Sequence, residues 1–264
     1  MGKSRTAASM LLLFAALVLA GTDTLIHHTT LRDGVGGVQG LGYPTDVAVS
    51  PDGKYVYVAA NLDGAVSYYR IQDAGDPAYL GMIADGGGVH GLAGVTDIAI
   101  SPDGGSLYAT SPVSGGTVAV FTRNQNSGAL TYTQIVRDNT GGVDGLGDPV
   151  DVIVSPDSRS VYVASQADTT VSWYVRDTLN GQLAFGDAFL ALFGTYPGEP
   201  IISCLAYRHA FSKLYLGGGS LVDFTNLVGH VADISLDSAT GRPGSSTYPA
   251  TDSALKVFVD IDFE

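Results

Sequence analysis

The chain has 264 residues, of which 45% are hydrophobic and 15% are charged, and its formal net charge is −13. This hydrophobic content excludes an intrinsically disordered chain, and the length is sufficient to bury a core. The negative charge argues against nucleic acid and anionic membrane surfaces as partners, because both repel a polyanion.

The first twenty residues have the pattern of a secretory signal peptide. Lys3 and Arg5 precede an apolar run from Met10 to Leu19, and Ala20 supplies a small residue at its end. A charged start, about ten apolar residues and a small-residue cleavage site are typical of export signals. A membrane anchor is the alternative, but a spanning helix needs about 20 apolar residues. We therefore predict cleavage after Ala20, a secreted or periplasmic location, and a mature domain of residues 21–264 without a membrane span.

Three segments of the mature chain begin with nearly the same six residues. GGVQGL, GGVHGL and GGVDGL are each followed by the tripeptide Ser-Pro-Asp and then by a stretch rich in Val and Tyr. The serines of the tripeptide lie 51 and 54 residues apart, at Ser50, Ser101 and Ser155. Repeats of this length indicate an array of similar structural units. We place four units at residues 36–86, 87–140, 141–194 and 195–250.

Each unit is predicted to contain four strands. In the first unit these are the stretches VAVS, YVYVAA, AVSYYRI and YLGMIAD, which Gly, Pro, Asp and Asn residues separate. In the Ser-Pro-Asp-Gly turn, proline presets the second position and glycine takes a positive φ, so that the chain re-enters the sheet. The third turn has Ser158 in place of glycine, and in the fourth unit Tyr207-Arg208-His209-Ala210 replaces the turn.

The repeat pattern predicts a fold class. No stretch of the mature chain has a sustained helical period, which argues against βαβ folds. Four antiparallel strands in about fifty residues are typical of one β-propeller blade. We therefore predict an all-β protein, a β-propeller of four-stranded antiparallel blades. The mature length accommodates about four to five blades, at the low end of the usual range, so the chain is either a small propeller or an incomplete ring.

The repeated segments resemble a known family. DVAVSPDGKYVYVAA from Asp46 and DPVDVIVSPDSRSVYVAS from Asp148 are similar to the repeats of lactonase-type β-propellers, related to the group named for its YVTN motif. The resemblance covers residues 33–190 well and 191–250 poorly. It implies a seven-bladed propeller and an activity like that of the best-known enzyme of the family, which opens 6-phosphogluconolactone. The blade number and the export signal depart from that enzyme, because the sugar-phosphate pathway is cytoplasmic.

Asp46, Asp97 and Asp151 occupy one repeat position, directly before the first strand of each unit. The first strands of propeller blades line the central channel, so these carboxylates could form part of a ring that binds a hard cation, with Ca²⁺ as the expected ion. The alternative is that each carboxylate accepts a backbone amide and holds adjacent blades in register. Ser203 falls near this position in the fourth unit. No other cofactor is expected.

The variable residue of the GGVxGL motif is Gln39, His90 or Asp144. A position that changes while its neighbours stay fixed predicts a binding residue on the loop face, where propellers commonly meet their ligands. The alternative is a solvated loop residue with no ligand.

A lactone hydrolase needs a base beside a water molecule and donors for the developing oxyanion. Glu199, Arg208 and His209 are the candidate catalytic residues, and they lie in the unit that has lost its turn motif. Decay of a terminal repeat explains the same pattern without chemistry. The single cysteine, Cys204, has apolar neighbours and is expected to be buried, not to act as a nucleophile.

Three functions are consistent with these patterns. The first is an exported repeat protein that acts as a scaffold and binds a protein, a carbohydrate or a small molecule on a loop face, without catalysis. The second is a lactonase-like hydrolase that opens a sugar lactone in the channel. The third is a calcium-stabilised adhesion module. Nucleic acid is not expected as a partner of any of them, because the chain is strongly acidic.

Overall fold

The structure is a computed structural model, and it describes residues 29–72, 75–190, 199–208, 213–223 and 226–247. Sixteen β-strands in these ranges form four antiparallel sheets of four strands. A short 3-10 turn, Val113–Gly115, is the one helical element among the described residues, where no helix is long and apolar enough to cross a membrane. The predicted signal peptide lies outside these ranges.

Each sheet is one blade, and its strands follow chain order. Blade 1 contains β1 (Pro44–Val49), β2 (Tyr55–Ala60), β3 (Ala65–Ile71) and β4 (Pro77–Ala84). Blade 2 contains β5 (Asp97–Ile100), β6 (Ser106–Ser111), β7 (Thr117–Arg123) and β8 (Leu130–Arg137). Blade 3 contains β9 (Pro149–Val154), β10 (Ser160–Ser165), β11 (Thr170–Arg176) and β12 (Leu183–Leu190). Blade 4 contains β13 (Glu199–Arg208), β14 (Lys213–Asp223), β15 (Asn226–Leu236) and β16 (Pro243–Thr247).

These sheets confirm the predicted all-β propeller fold with four-stranded antiparallel blades. The first strands of the blades, β1, β5, β9 and β13, pack beside one another in chain order. Within the described residues the blades form an open arc of four, which agrees with the prediction of an incomplete ring.

The core lies in the spaces between neighbouring blades. Tyr57 of β2 packs with Leu107 and Phe121 of blade 2, whereas its neighbour Val58 packs on the opposite face of blade 1 with Val38. Successive residues of a strand point to opposite faces, so a strand between two packed faces is buried along its whole length. Every residue of the second strands β2, β6 and β10 is accordingly buried.

The Ser-Pro-Asp turn forms the same hydrogen bonds in blades 1 to 3. In blade 1, Ser50 Oγ donates to Asp52 Oδ1 (2.6 Å) and accepts from the amide of Tyr55 (2.9 Å). The third turn persists although Ser158 replaces glycine, and Ser158 adopts a φ of 61°. Its Oγ accepts from the amide of Asp103 in blade 2 (3.0 Å), so the substitution adds a bond between two blades.

In blades 1 to 3, a tyrosine of the second strand binds the next blade. Its hydroxyl donates to the carbonyl of a glycine in the loop between the third and fourth strands of that blade. The pairs are Tyr57 with Gly128 (2.7 Å), Tyr108 with Gly181 (2.9 Å) and Tyr162 with Gly241 (2.6 Å). Burial raises the pKa of Tyr57 to about 12, against an opposing effect of Arg123, so its hydroxyl remains a donor at neutral pH.

Buried arginines add a second connection between blades. Arg176 ends β11, and its guanidinium reaches into blade 2, where it donates to Asp103 Oδ2 (2.7 Å) and to the Tyr108 hydroxyl (2.6 Å). Arg123 ends β7 and donates in the same way to the Tyr57 hydroxyl of blade 1 (2.6 Å). Both side chains are 1% exposed.

Candidate functional site

The first strands of the four blades face a cleft of about 580 Å³. Four short segments line it, residues 45–47, 96–99, 150–154 and 203–207. The blades of a propeller surround a central channel, so this cleft is the part of the channel that the described residues enclose. It is the candidate functional site because it is the place where side chains from every described blade meet.

Each of the three predicted aspartates lines this cleft and also connects two blades. Asp46 Oδ2 accepts from the amide of Ile98 (3.0 Å), and Asp97 Oδ2 accepts from the amide of Val152 (2.8 Å). Asp151 Oδ2 accepts from the amide of Leu205 (2.5 Å). Each acceptor therefore belongs to one blade and each donor to the first strand of the next. This is the arrangement that the architectural alternative described.

In blade 4 the position of the three aspartates is occupied by Cys204. The registers of β1, β9 and β13 each have a bulge directly before this position, at Thr45, Val150 and Ser203. Cys204 directly precedes Leu205, so it holds the position that the aspartates hold in the other blades. The prediction that Cys204 is buried is wrong, because this position lines the cleft and the residue is partly exposed. Ser203 is exposed and also lines the cleft.

Asp97 lies between Asp46 and Asp151, and the pKa of its carboxyl group differs from that of a free aspartate. Burial raises the pKa of Asp97 well above its usual range, and the negative charges of Asp151 and Asp46 raise it further. The hydrogen bond from the amide of Val152 opposes this shift, whereas a hydrogen bond with the Asp46 side chain adds to it. The protonated form of Asp97 is therefore favoured in the folded protein to a much higher pH than in an unfolded chain.

We expect the D97N variant to become more stable than the wild type as the pH rises. A folded-state pKa above the unfolded value of about 4 gives stability that is fully present below that value and is lost as the pH rises through the folded pKa. Asparagine keeps an acceptor for the Val152 amide and has no charge to lose. Thermal melts from about pH 4 to pH 8 should show the melting-temperature difference growing in favour of D97N.

The matched control is D144N, because Asp144 is an exposed aspartate outside the cleft. Its melting-temperature difference from the wild type should stay constant over the same range. A difference between D97N and the wild type that does not change with pH would contradict the raised pKa of Asp97.

The calcium site stays a prediction. Among the described residues, no three His, Cys, Asp or Glu side chains are grouped closely enough to hold a metal ion. The carboxylates of Asp46, Asp97 and Asp151 each use an oxygen to accept a backbone amide, which leaves fewer oxygens for a cation.

The three variable loop residues lie on exposed loops before the first strands. Gln39, His90 and Asp144 are all solvent exposed, which is compatible with both interpretations of the GGVxGL motif. His90 lines a cavity of about 210 Å³ between its loop and the turn that joins β6 to β7.

The structure does not bring the predicted catalytic residues together. Glu199 and Arg208 are the first and last residues of β13, and a strand rises about 3.3 Å per residue, which separates them by roughly 30 Å. His209 lies outside the described residues.

Sequence reasoning missed the inward-facing arginines Arg123 and Arg176, whose burial depends on tyrosines and turns of the preceding blade.

A family model described as "Lactonase, 7-bladed beta-propeller" matches residues 44–192, more than half of the chain. The matched range extends from the start of β1 to just beyond the end of β12, so it contains blades 1 to 3 and not blade 4. No curated protein sequence matches the chain.

Two solved structures show the same fold. A protein from Lactobacillus plantarum superposes with a TM-score of 0.64 at 17% identity, over 86% of this chain and 60% of its own. The periplasmic gluconolactonase of Pseudomonas aeruginosa superposes with a TM-score of 0.57 at 23% identity, over 78% of this chain and 53% of its own. The chain thus spans less than two thirds of the length of either protein.

Proposed function

The chain belongs to the seven-bladed β-propeller lactonase family, and from this membership we propose that it binds a sugar lactone in the central cleft and hydrolyses it. The observation that carries the proposal is the placement of Asp97, a carboxyl with a raised pKa, in the wall of a cleft. A volume of about 580 Å³ lies within the range of small-molecule sites, which is about 300–1,000 Å³.

Lactone hydrolysis makes three demands on the cleft. A water molecule must lose a proton as its oxygen bonds to the carbonyl carbon, the oxyanion must be stabilised, and the ring oxygen must receive a proton when its bond breaks. A general base works best when its pKa lies near the working pH, and the shift of the Asp97 pKa is in that direction. Asp97 would take the proton from water and return it to the ring oxygen, which yields a hydroxy acid.

Hydroxyl groups in the same cleft are the candidate oxyanion donors. Ser203 is exposed in the cleft wall, and Tyr207 lines the same cleft four residues further along β13. Burial raises the pKa of Tyr207, and the charge of Asp157 adds to the effect, so the phenol stays protonated and able to donate. Donors held in place by the protein stabilise an oxyanion without reorganising during the reaction.

A binding module without catalysis is the second candidate. It is favoured because Asp46, Asp97 and Asp151 already have an architectural role, each accepting an amide of the next blade. The two functions can be separated by comparing binding with turnover of the same lactones.

The test is hydrolysis of aldonolactones by the purified mature protein, followed by proton release, with glucono-1,5-lactone first. The name of the Pseudomonas aeruginosa protein makes that compound the natural starting point. We expect D97N to lower kcat/KM at least about tenfold, since general base catalysis contributes more than that in enzymes. D177N should retain activity, because Asp177 is exposed outside the cleft and asparagine keeps the acceptor for the Leu179 amide. Turnover that survives in D97N would exclude Asp97 as the base, and calorimetric binding without turnover would favour the binding module.

We further propose that the chain is exported, on the basis of Lys3, Arg5 and the apolar run from Met10 to Leu19. Expression of the full gene in a Gram-negative host should yield a periplasmic protein whose amino-terminal sequence begins at Gly21. A variant without residues 10–19 should remain in the cytoplasm. Recovery of the full-length protein with Met1 intact would contradict the proposal.

A further inference from the structure

The first blade of the arc has an apolar face that none of the other described blades covers. Val47 of β1 is 46% exposed on this face, and Val49 is 55% exposed. The hydrophobic cluster on the same face contains only residues 31–79, all of which precede blade 2. In blades 2 to 4 the residue equivalent to Val47 packs against the preceding blade and is 2–6% exposed, at Ile98, Val152 and Leu205. An exposed apolar face of this kind is typical of a surface that binds another protein surface.

The uncovered face of blade 1 is a close copy of the face of blade 3 that packs on blade 2. Tyr69 and Tyr79 form a ring pair with centroids 5.6 Å apart and an interplanar angle of 60°. Tyr174 and Phe185 of blade 3 form the same pair at 5.7 Å and 64°. The valines of the first two strands also correspond in register: Val47, Val49, Val56 and Val58 match Val152, Val154, Val161 and Val163. A surface that fits blade 1 should therefore resemble the face of blade 2 that covers blade 3.

Blade 4 carries such a surface at the other end of the arc. In blade 2, Ala99 of the first strand pairs with Tyr108 of the second, and the Tyr108 hydroxyl donates to the Gly181 carbonyl of blade 3 (2.9 Å). In blade 4, Ala206 pairs with Tyr215 at the same distance along the strands from the cleft. The last blade thus has the alanine and the tyrosine that blade 2 uses to bind its neighbour.

The charges at the two ends of the arc are also complementary. Between blades 2 and 3, the acidic turn of one blade meets an arginine of the next, Asp103 with Arg176. Ile71 holds the arginine position in blade 1, and the loop that follows it, residues 72–76, has the acidic sequence Gln-Asp-Ala-Gly-Asp. The segment that replaces the turn in blade 4 has no aspartate and contains Arg208. A contact between blade 4 and blade 1 would therefore join a basic turn to an acidic loop, with opposite charges facing each other.

We propose that two copies of the chain close one propeller, with blade 4 of each copy packed on blade 1 of the other. The Tyr215 hydroxyl of one copy would donate to the Gly75 carbonyl of the other, as Tyr108 donates to Gly181 within the chain. Two arcs of four blades make a ring of eight, one more than the family model describes, and propellers commonly have about four to eight. A two-fold ring is closed, so association would stop at two copies. Both copies would then line the central cleft, whichever ligand it binds.

Sedimentation equilibrium of the mature chain should give twice the mass of one chain, with no larger species. V47D should weaken the dimer at least about tenfold, because the interface would bury a carboxylate. V175D is the matched control, since Val175 is 47% exposed on blade 3 and lies away from both ends of the arc. It should remain a dimer, and circular dichroism checks that both variants keep their β-sheets. A monomeric wild type, assemblies larger than two, or an unchanged dimer in V47D would overturn the closed ring.

Disulfide trapping tests which faces meet, because Cys204 is the single cysteine of the chain. The side chains of Asp46 and Asp97, which hold equivalent positions in neighbouring blades, are hydrogen-bonded to each other. Cys204 of one copy and residue 46 of the other would have the same relation. Mild oxidation should therefore link D46C into disulfide dimers, whereas D46C/C204S and the exposed control D177C should stay unlinked. Dimers of D46C that persist without Cys204 would show two blade 1 faces in contact, and absence of any link in D46C would exclude the contact between blades 4 and 1.

Discussion

The R176M variant is expected to lose about 3 kcal/mol of unfolding free energy, because it breaks a buried charged network between two blades. Arg176 donates to Asp103 through both terminal nitrogens (2.7 and 3.1 Å) and to the Tyr108 hydroxyl (2.6 Å). Methionine is similar in length and apolar, so the substitution removes the hydrogen bonds with little change in volume. The Asp103 side chain is 35% exposed and can be rehydrated, which keeps the loss at the lower end of the range for broken buried pairs.

Urea unfolding of R176M measures this loss of unfolding free energy, and R123M is the matched control. Arg123 has the equivalent position one blade earlier, but its Nη2 lies 3.9 Å from Asp52 Oδ1 and has no hydrogen-bond partner. Its remaining bonds are to the Tyr57 hydroxyl and the Gly104 carbonyl. We expect R123M to lose about 1.5 kcal/mol, the lower end of the range for hydrogen bonds made by a charged group. Equal losses in the two variants would show that the carboxylate pair adds nothing.

The loss of unfolding free energy in R176M is also expected to depend on pH. Burial raises the pKa of Asp103, but hydrogen bonds from Ser101, Gly105 and Arg176 outweigh it and leave the pKa below its usual value. A lowered folded pKa gives stability that is present above the unfolded value of about 4 and is lost as the pH falls through the folded pKa. The stability difference between the wild type and R176M should therefore narrow in acid.

Local sequence was sufficient to predict the blades, because their signals depend on neighbouring residues. Ser50, Pro51 and Asp52 form a turn through their own hydrogen bonds, and the strands on either side alternate or are uniformly apolar. The repeat also predicted that Asp46, Asp97 and Asp151 line the same cleft, because residues at one repeat position lie around the common axis of the blades.

The features that sequence reasoning missed depend on contacts between blades. Arg176 ends a strand and has the sequence context of a solvated charge, yet Asp103 and Tyr108 of another blade bury it. Cys204 was expected to be buried because its neighbours in the sequence are apolar, but it occupies the cleft position that Asp46, Asp97 and Asp151 hold in the other blades. The raised pKa of Asp97 likewise follows first from its burial and then from two carboxylates, Asp151 and Asp46, that lie about fifty residues away in the chain.

The G181A variant is expected to lose about 3 kcal/mol, from two separate causes. Gly181 has a φ of 76°, and an L-residue in this region costs about 1–2 kcal/mol. An added Cβ would also overlap Ser106 Oγ of the neighbouring blade, which itself accepts from Arg176 Nη2 (3.0 Å). Relief of this overlap would separate the Gly181 carbonyl from the Tyr108 hydroxyl.

The control for G181A is G53A, which measures the loss of unfolding free energy caused by an alanine at positive φ alone. Gly53 has a φ of 67°, and an added Cβ there would meet nothing within 4 Å. Urea unfolding should show a loss of about 1 kcal/mol for G53A, as expected for an alanine at positive φ. The additional loss in G181A then measures the close approach between blades 2 and 3. Equal losses in the two variants would mean that the interface adjusts to an extra methyl group, and the tight packing of the loop glycines between blades would not then contribute to stability.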